Sequence, residues 1–266
     1  MKKIIKLFLN LVFGAVPSIL FFIWIERNCS LPNFFVNQAN ALSWPWLQLD
    51  LSTPGQCTWN FTLILIFGAI HTFTAQAPFQ RFLSRFAKSD FHRSIYLMIT
   101  GMSVLGVMAL WLNTGVIVWL VPGLSFFSLN LLSIALYLFF FAFTISVLLR
   151  FDGLSFVGLR QVLEESPSTS SPSSTTTTTP KASQLQPLQR DGFFRYLRHP
   201  IYFFTLLAIL VTPFMTLDRL TVFVAVIVYL NGFGLRYEER KLVEVFGERY
   251  LVFQNEVPAI FPRFKS

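Results

Sequence analysis

The chain has 266 residues, 54% of them hydrophobic and only 13% charged, with 32 Phe and a mean hydropathy of +0.58. A soluble domain carries roughly a quarter charged residues, so composition excludes a water-soluble globular protein and places the chain in the membrane class. The formal charge of +8 comes from 21 Lys and Arg spread over several loops; without a dense basic patch, nucleic acid is excluded as a partner.

Six apolar segments follow in chain order, at about 7–25, 59–75, 95–112, 125–149, 201–217 and 220–235. The first reads as an uncleaved helix, because its apolar run ends in Glu26-Arg27 with no small-residue cleavage site. The segments up to residue 149 predict a four-span bundle over residues 1–150. The last two are short and joined by Leu217-Asp218-Arg219. They predict either a tight pair of spans or a hairpin that dips in and returns. The expected fold class is therefore all-α: a polytopic membrane helical bundle of five or six transmembrane segments, with residues 1–266 forming one integral membrane domain.

Between the fourth and fifth segments, residues 166–180 hold only Ser, Thr and Pro. Such a stretch cannot bury apolar surface, so 164–190 reads as a disordered insert that supplies no catalytic group.

All Lys and Arg except Arg27 and Arg219 fall on alternate loops. The positive-inside rule then puts both termini, the 76–94 loop and the 150–198 loop in the cytoplasm. Cys29 and Cys57 share the outer 26–58 loop and are read either as a disulfide or as two thiols. Asn28-Cys29-Ser30 and Asn60-Phe61-Thr62 match the glycosylation acceptor pattern.

Polar groups gather at the two ends of the last hairpin. Arg198-His199-Pro200-Ile201-Tyr202 opens it. Pro suits a first helical turn, and Arg and Tyr are ordinary interface anchors, but anchoring does not require His199. Together they suit an anionic group at a helix N-terminus. At the exit, Arg236, Glu239 and Arg240 share one helix face at i, i+3 and i+4, and Glu238 lies on another. Two adjacent carboxylates at a membrane edge are costly unless paired or used. Val243, Phe246, Tyr250 and Phe253 then form an apolar stripe, predicting an amphipathic helix on the cytoplasmic face. His71 lies inside the second apolar segment, where an ionisable group faces the bundle interior either for function or to bond a carbonyl. With three His and two Cys in all, a metal site is not expected.

Arg198-His199-Pro200-x-Tyr202, the apolar hairpin, Glu238-Glu239-x-x-Leu242, Phe246-Gly247-x-x-Tyr250 and Val257-Pro258 resemble the C-terminal half of the isoprenylcysteine carboxyl methyltransferase superfamily. His71 with its flanks, His92-Arg93-Ser94-Ile95-Tyr96, Phe151-Asp152-Gly153 and Gly158-Leu159-Arg160-Gln161-Val162 resemble the nurim and NnrU group within it, and there the methanethiol S-methyltransferases of bacteria. The resemblance implies an S-adenosylmethionine-dependent membrane methyltransferase with residues 191–266 as its cofactor-binding half. It implies Arg198, His199, Tyr202, Glu238 and Glu239 as cofactor contacts, Arg198 on the carboxylate and Glu239 on the ammonium or ribose. His199 and His71 become the candidate bases, with Arg236 beside them as a cation that favours a thiolate. The implied acceptor is a small thiol, methanethiol going to dimethyl sulfide. The alternatives are a prenylcysteine carboxylate or other lipophilic acceptor, and a non-catalytic scaffold of nurim type, against which the retained Glu238-Glu239 pair argues. The family commonly has Gly where this chain has Phe204, which predicts a narrowed pocket. The lipid bilayer is the remaining partner, and nothing in the sequence specifies an oligomeric state.

Overall fold

The computed structural model describes residues 2–30, 49–87, 89–150 and 188–262. The Ser/Thr/Pro insert up to residue 187, the Phe151 and Gly158 motifs and most of the 26–58 loop lie outside the described residues. The chain opens with α1 (Lys2–Asn10) and α2 (Val16–Ser30), continuous through a π turn at Leu11–Ala15. There follow α3 (Thr53–Thr74), a short α4 (Ala77–Leu83), α5 (Ser89–Leu110), β1 (Ile117–Leu120) and α6 (Phe126–Arg150). The C-terminal part holds a 3-10 turn (Gly192–Arg195), α7 (Pro200–Leu210), β2 (Phe214–Thr216), α8 (Leu217–Tyr229), a second π turn (Leu230–Gly234), α9 (Leu235–Phe246) and α10 (Glu248–Glu256).

Among the described residues, five helices are long and apolar enough to cross a membrane: Ile5–Ile25, Thr53–Thr74, Phe91–Leu110, Phe127–Leu149 and Leu217–Phe246. Their outer faces carry large exposed apolar side chains, among them Phe127, Leu149 and Phe233. Such a surface belongs in hydrocarbon. The molecule is a polytopic helical membrane protein.

The last hairpin differs from the sequence expectation. Its arms are unequal. α7 has 11 residues, covering about 16 Å, roughly half of a bilayer core. The rest of that arm is extended and ends in β2, which pairs antiparallel with β1, Met215 opposite Trp119. Non-helical backbone survives at membrane depth only where protein covers it, and Phe214, Met215 and Thr216 are all buried. The return arm is one 30-residue helix, Leu217–Phe246, so Arg236 to Lys241 lie within it and not beyond its exit.

Asp218 and Arg219, the charges at the turn, are buried and employed. Arg219 Nε donates to the Ile209 carbonyl and Nη2 to that of Ala208, each at 2.7 Å. These are carbonyls of the last turn of α7, which no helical N–H reaches. The guanidinium also lies 5.8 Å from the centroid of the Tyr137 ring. Asp218 accepts from Thr114 N at 3.1 Å and Thr114 Oγ1 at 2.8 Å. Asn60 is fully buried; its amide donates to the Leu112 carbonyl at 2.6 Å and accepts from Leu112 N at 3.0 Å. An amide held this way is not available for glycosylation. Cys57 carries a free thiol, and the Cys29 side chain lies outside the described residues.

Two large apolar centres hold the bundle, with a smaller one around Leu206, Leu230 and Ile260. One joins Trp24, Ile64, Val107, Tyr137 and Val222 across five helices, with Trp111 just past the end of α5. The other joins Val147, Phe194, Phe204, Tyr250, Phe253 and Val257. The expected amphipathic stripe is thus packed inside the protein. Gly247, at φ +61°, breaks the segment into α9 and α10, a conformation L side chains rarely adopt. The break turns Tyr250 and Phe253 inward. Phe204 packs in the same centre, its ring stacked on Phe143 with centroids 5.0 Å apart and edge-on to Phe193 at 4.9 Å.

Candidate active site

The site begins where the chain turns into α7. Arg198 N donates to the Pro258 carbonyl and His199 N to that of Ala259, each at 2.9 Å. This short extended pairing ties the residues ahead of α7 to the segment after α10. Pro200 takes the first helical position, where its missing N–H costs nothing. The side chains of Arg198 and His199 are thereby aimed at α9.

There they meet Glu239. Its Oε1 accepts from Arg198 Nε at 2.9 Å and Tyr250 Oη at 3.0 Å, and lies 2.5 Å from His199 Nε2. Its Oε2 accepts from Gln254 Nε2. Arg198 Nη1 donates in addition to the carbonyls of Gln254, at 2.8 Å, and Val257, at 2.5 Å, closing the C-terminal end of α10. Burial, followed by the Glu239 carboxylate beside it, pushes the Tyr250 phenol above its usual range. This is a satisfied ion-pair network, and its members do not line the neighbouring cavity.

Glu238 leaves α9 in another direction. It accepts from Tyr202 Oη and lies 3.6 Å from His199 Nδ1. The Tyr202 ring stacks on His199, centroids 5.5 Å apart and planes 13° apart. Tyr202 and Glu238 form part of the wall of a cavity of about 600 Å³. The wall continues with His71, Thr72, Ala75 and Gln80 from α3 and α4, His92, Arg93 and Tyr96 from α5, and Tyr229, Gly234, Tyr237 and Lys241 from the long return helix. Tyr96 Oη sits 3.2 Å from Nδ1 and 3.3 Å from Nε2 of His71, and the Arg93 guanidinium lies 5.2 Å from the Tyr96 ring centroid.

The structure therefore brings Tyr202, Glu238 and His71 to one cavity. Arg198, His199 and Glu239 stand directly behind Tyr202 and Glu238. Arg236 is exposed and off the cavity. Phe204 points into the second apolar centre, so it does not narrow this space. Sequence reasoning missed Tyr229, Tyr96, Arg93 and Lys241 as wall residues. Arg93 and Tyr96 carried a signal in their i, i+3 spacing, and Tyr229 in being a phenol within an aliphatic run.

Comparison with known proteins gives the chemistry a context. Residues 148–249 match the family model described as phospholipid methyltransferase. The chain is 28% identical over 209 residues to a methanethiol S-methyltransferase of Crocosphaera subtropica, covering 75% of this chain and 72% of that protein. It is 26% identical over 219 residues to methanethiol S-methyltransferase 1 of Bradyrhizobium diazoefficiens, covering 82% and 70%. It is also 27% identical over 185 residues to nurim of Mus musculus, covering 68% and 66%. No solved structure matches significantly. The chain is accordingly a polytopic membrane relative of the methanethiol S-methyltransferases and nurim, carrying the phospholipid methyltransferase pattern over residues 148–249.

Proposed function

We propose that this chain is a membrane methyltransferase that uses S-adenosylmethionine to methylate a small thiol, methanethiol to dimethyl sulfide, at a cavity open to the cytoplasm. The observation that carries the reading is the cavity between α3, α5, α7 and the long return helix, which sets a carboxylate, two cations and several aromatic rings around one space. Its volume of about 600 Å³ suits a cofactor-sized ligand, since such pockets run to roughly 300–1,000 Å³. The residues fit a donor with an amino-acid end and a sulfonium. Glu238 suits the ammonium, Arg93 and Lys241 suit the carboxylate, and the Tyr202 and Tyr96 rings suit a sulfonium through their faces, by roughly 0.5–2 kcal/mol each.

S-adenosylmethionine supplies a methyl group already activated on sulfur, so no metal or covalent protein intermediate is required. The protein's share is alignment, exclusion of water and removal of the thiol proton. Alignment alone can supply roughly 7–11 kcal/mol of a barrier. His71 is the base we assign, because it lines the cavity with Tyr96 holding its ring. His199 supports Tyr202 and Glu238 from behind, and Arg198 and Glu239 fix His199. In this reading the sequence-derived cofactor contacts divide into a direct pair, Tyr202 and Glu238, and a supporting trio.

The test is direct. Membranes bearing the protein, given S-adenosylmethionine and methanethiol, should release dimethyl sulfide measurable by gas chromatography. Methylation of prenylcysteine instead would move the acceptor to the lipophilic class. No product from either would overturn the enzyme reading in favour of a scaffold.

A further inference from the structure

Tyr229 closes the cavity on the side of the apolar bundle centre. One edge of its ring packs closely against Gly68 of α3: a Cβ at residue 68 would stand 2.4 Å from a ring carbon. A Cβ at Gly234 would stand 3.1 Å from the other edge. The hydroxyl is bound to Thr72 Oγ1 at 2.6 Å. The phenol is thus clamped between α3 and its own helix, directly before the π turn at Leu230–Gly234. π turns inside α-helices are frequent at functional sites. The ring also packs against an apolar centre that includes Leu206, Val226 and Leu230. His71 and Thr72 sit on the same stretch of α3 as Gly68, so the ring floors the part of the cavity nearest the assigned base.

We infer that Tyr229, held by Gly68 and Thr72, sets the length of the acceptor: it admits short alkanethiols and excludes those with longer chains. The inference rests on the thiol-methylation reading. A short thiol can place its sulfur by His71 and its carbon against the ring. A longer chain has to continue through the space the ring fills. Without the ring, that space opens onto apolar side chains suited to an alkyl chain. A single methylene matched or mismatched to an apolar pocket changes discrimination roughly tenfold or more.

The experiment compares kcat and KM for methanethiol, propanethiol and hexanethiol in wild type, Tyr229→Ala, Tyr229→Phe and Gly68→Ala, each purified in detergent. Calorimetric titration with S-adenosylhomocysteine reports whether each variant still forms the cofactor cavity. Wild type should favour methanethiol. Tyr229→Ala should raise the hexanethiol-to-methanethiol ratio of kcat/KM by about tenfold or more, chiefly through KM. Tyr229→Phe keeps the ring and should keep the wild-type chain-length profile. Gly68→Ala pushes the ring into the cavity and should raise KM for propanethiol before that for methanethiol. If Tyr229→Ala no longer binds S-adenosylhomocysteine, the Gly68→Ala arm decides. Thiol turnover with the same chain-length profile in every variant that binds S-adenosylhomocysteine overturns the Tyr229 assignment alone. A wild type that binds S-adenosylhomocysteine yet methylates no thiol overturns the acceptor reading and this inference with it.

Discussion

Successive side chains on an α-helix diverge by about 100°, so Glu238 and Glu239 leave α9 into different surroundings. Glu239 is held by four side chains, with 12% of its own side chain exposed. Glu238 keeps 42% exposure and faces the cavity. Their substitutions should therefore separate. Glu239→Ala strands the Arg198 guanidinium, and breaking a largely buried pair costs about 3–5 kcal/mol; thermal unfolding in detergent should show a marked fall in Tm. Glu238→Ala removes a charged partner at the cavity. It should weaken S-adenosylhomocysteine binding by about tenfold or more, the worth of a charge-assisted hydrogen bond, with Tm close to wild type. Similar Tm losses in both would mean that the two carboxylates share one role. This division was only half legible beforehand. The i, i+3, i+4 spacing put Arg236, Glu239 and Arg240 on one face and Glu238 on another. That Glu239 faces inward to Arg198 depends on α10 folding back at Gly247, a tertiary event no local spacing encodes.

At the scale of elements, the short helix α7 is the part that needs support. Eleven residues make a marginal helix alone, and its C-terminal carbonyls would be unsatisfied at membrane depth. Arg219, from the start of α8, meets two of them. Arg219→Ala should destabilise by roughly 1–3 kcal/mol for each carbonyl left without a donor. Urea or thermal denaturation in detergent would measure it, and a loss under about 0.5 kcal/mol would show that water or another donor takes over. The apolar runs announced the spans, because burial in lipid leaves few other compositions open. They did not announce the asymmetry of the last hairpin. An extended strand and a short helix are both apolar when buried, and hydropathy does not distinguish them. Arg219 looked like a loop charge for the same reason: its partners are carbonyls, which every residue carries.

For the whole molecule, the described residues Arg81, Arg85 and Arg198 and the cavity residues Gln80 and Lys241 lie at one end of the helices, while β1, β2, Asp218 and Cys57 lie at the other. The proposed orientation makes a prediction about sidedness. A charged cofactor does not cross hydrocarbon unaided. Inside-out vesicles supplied with S-adenosylmethionine should turn over methanethiol, and right-side-out vesicles should stay silent until permeabilised; the reverse pattern would invert the topology. Cys57 should react with an impermeant maleimide from the outer side of intact cells.

The pairing of β1 with β2 has a consequence for traffic. It ties the far ends of the bundle together through backbone hydrogen bonds, with the β2 side chains buried and those of β1 exposed. On the proposed function and orientation, the ionic traffic, donor in and spent donor out, uses the cytoplasmic doorway lined by Glu238 and Lys241. A small uncharged sulfide needs no doorway, because the bilayer around the protein is itself permeable to it. On that reading the protein needs no alternating gate: its charged ligands use one side, and its neutral product escapes through the walls.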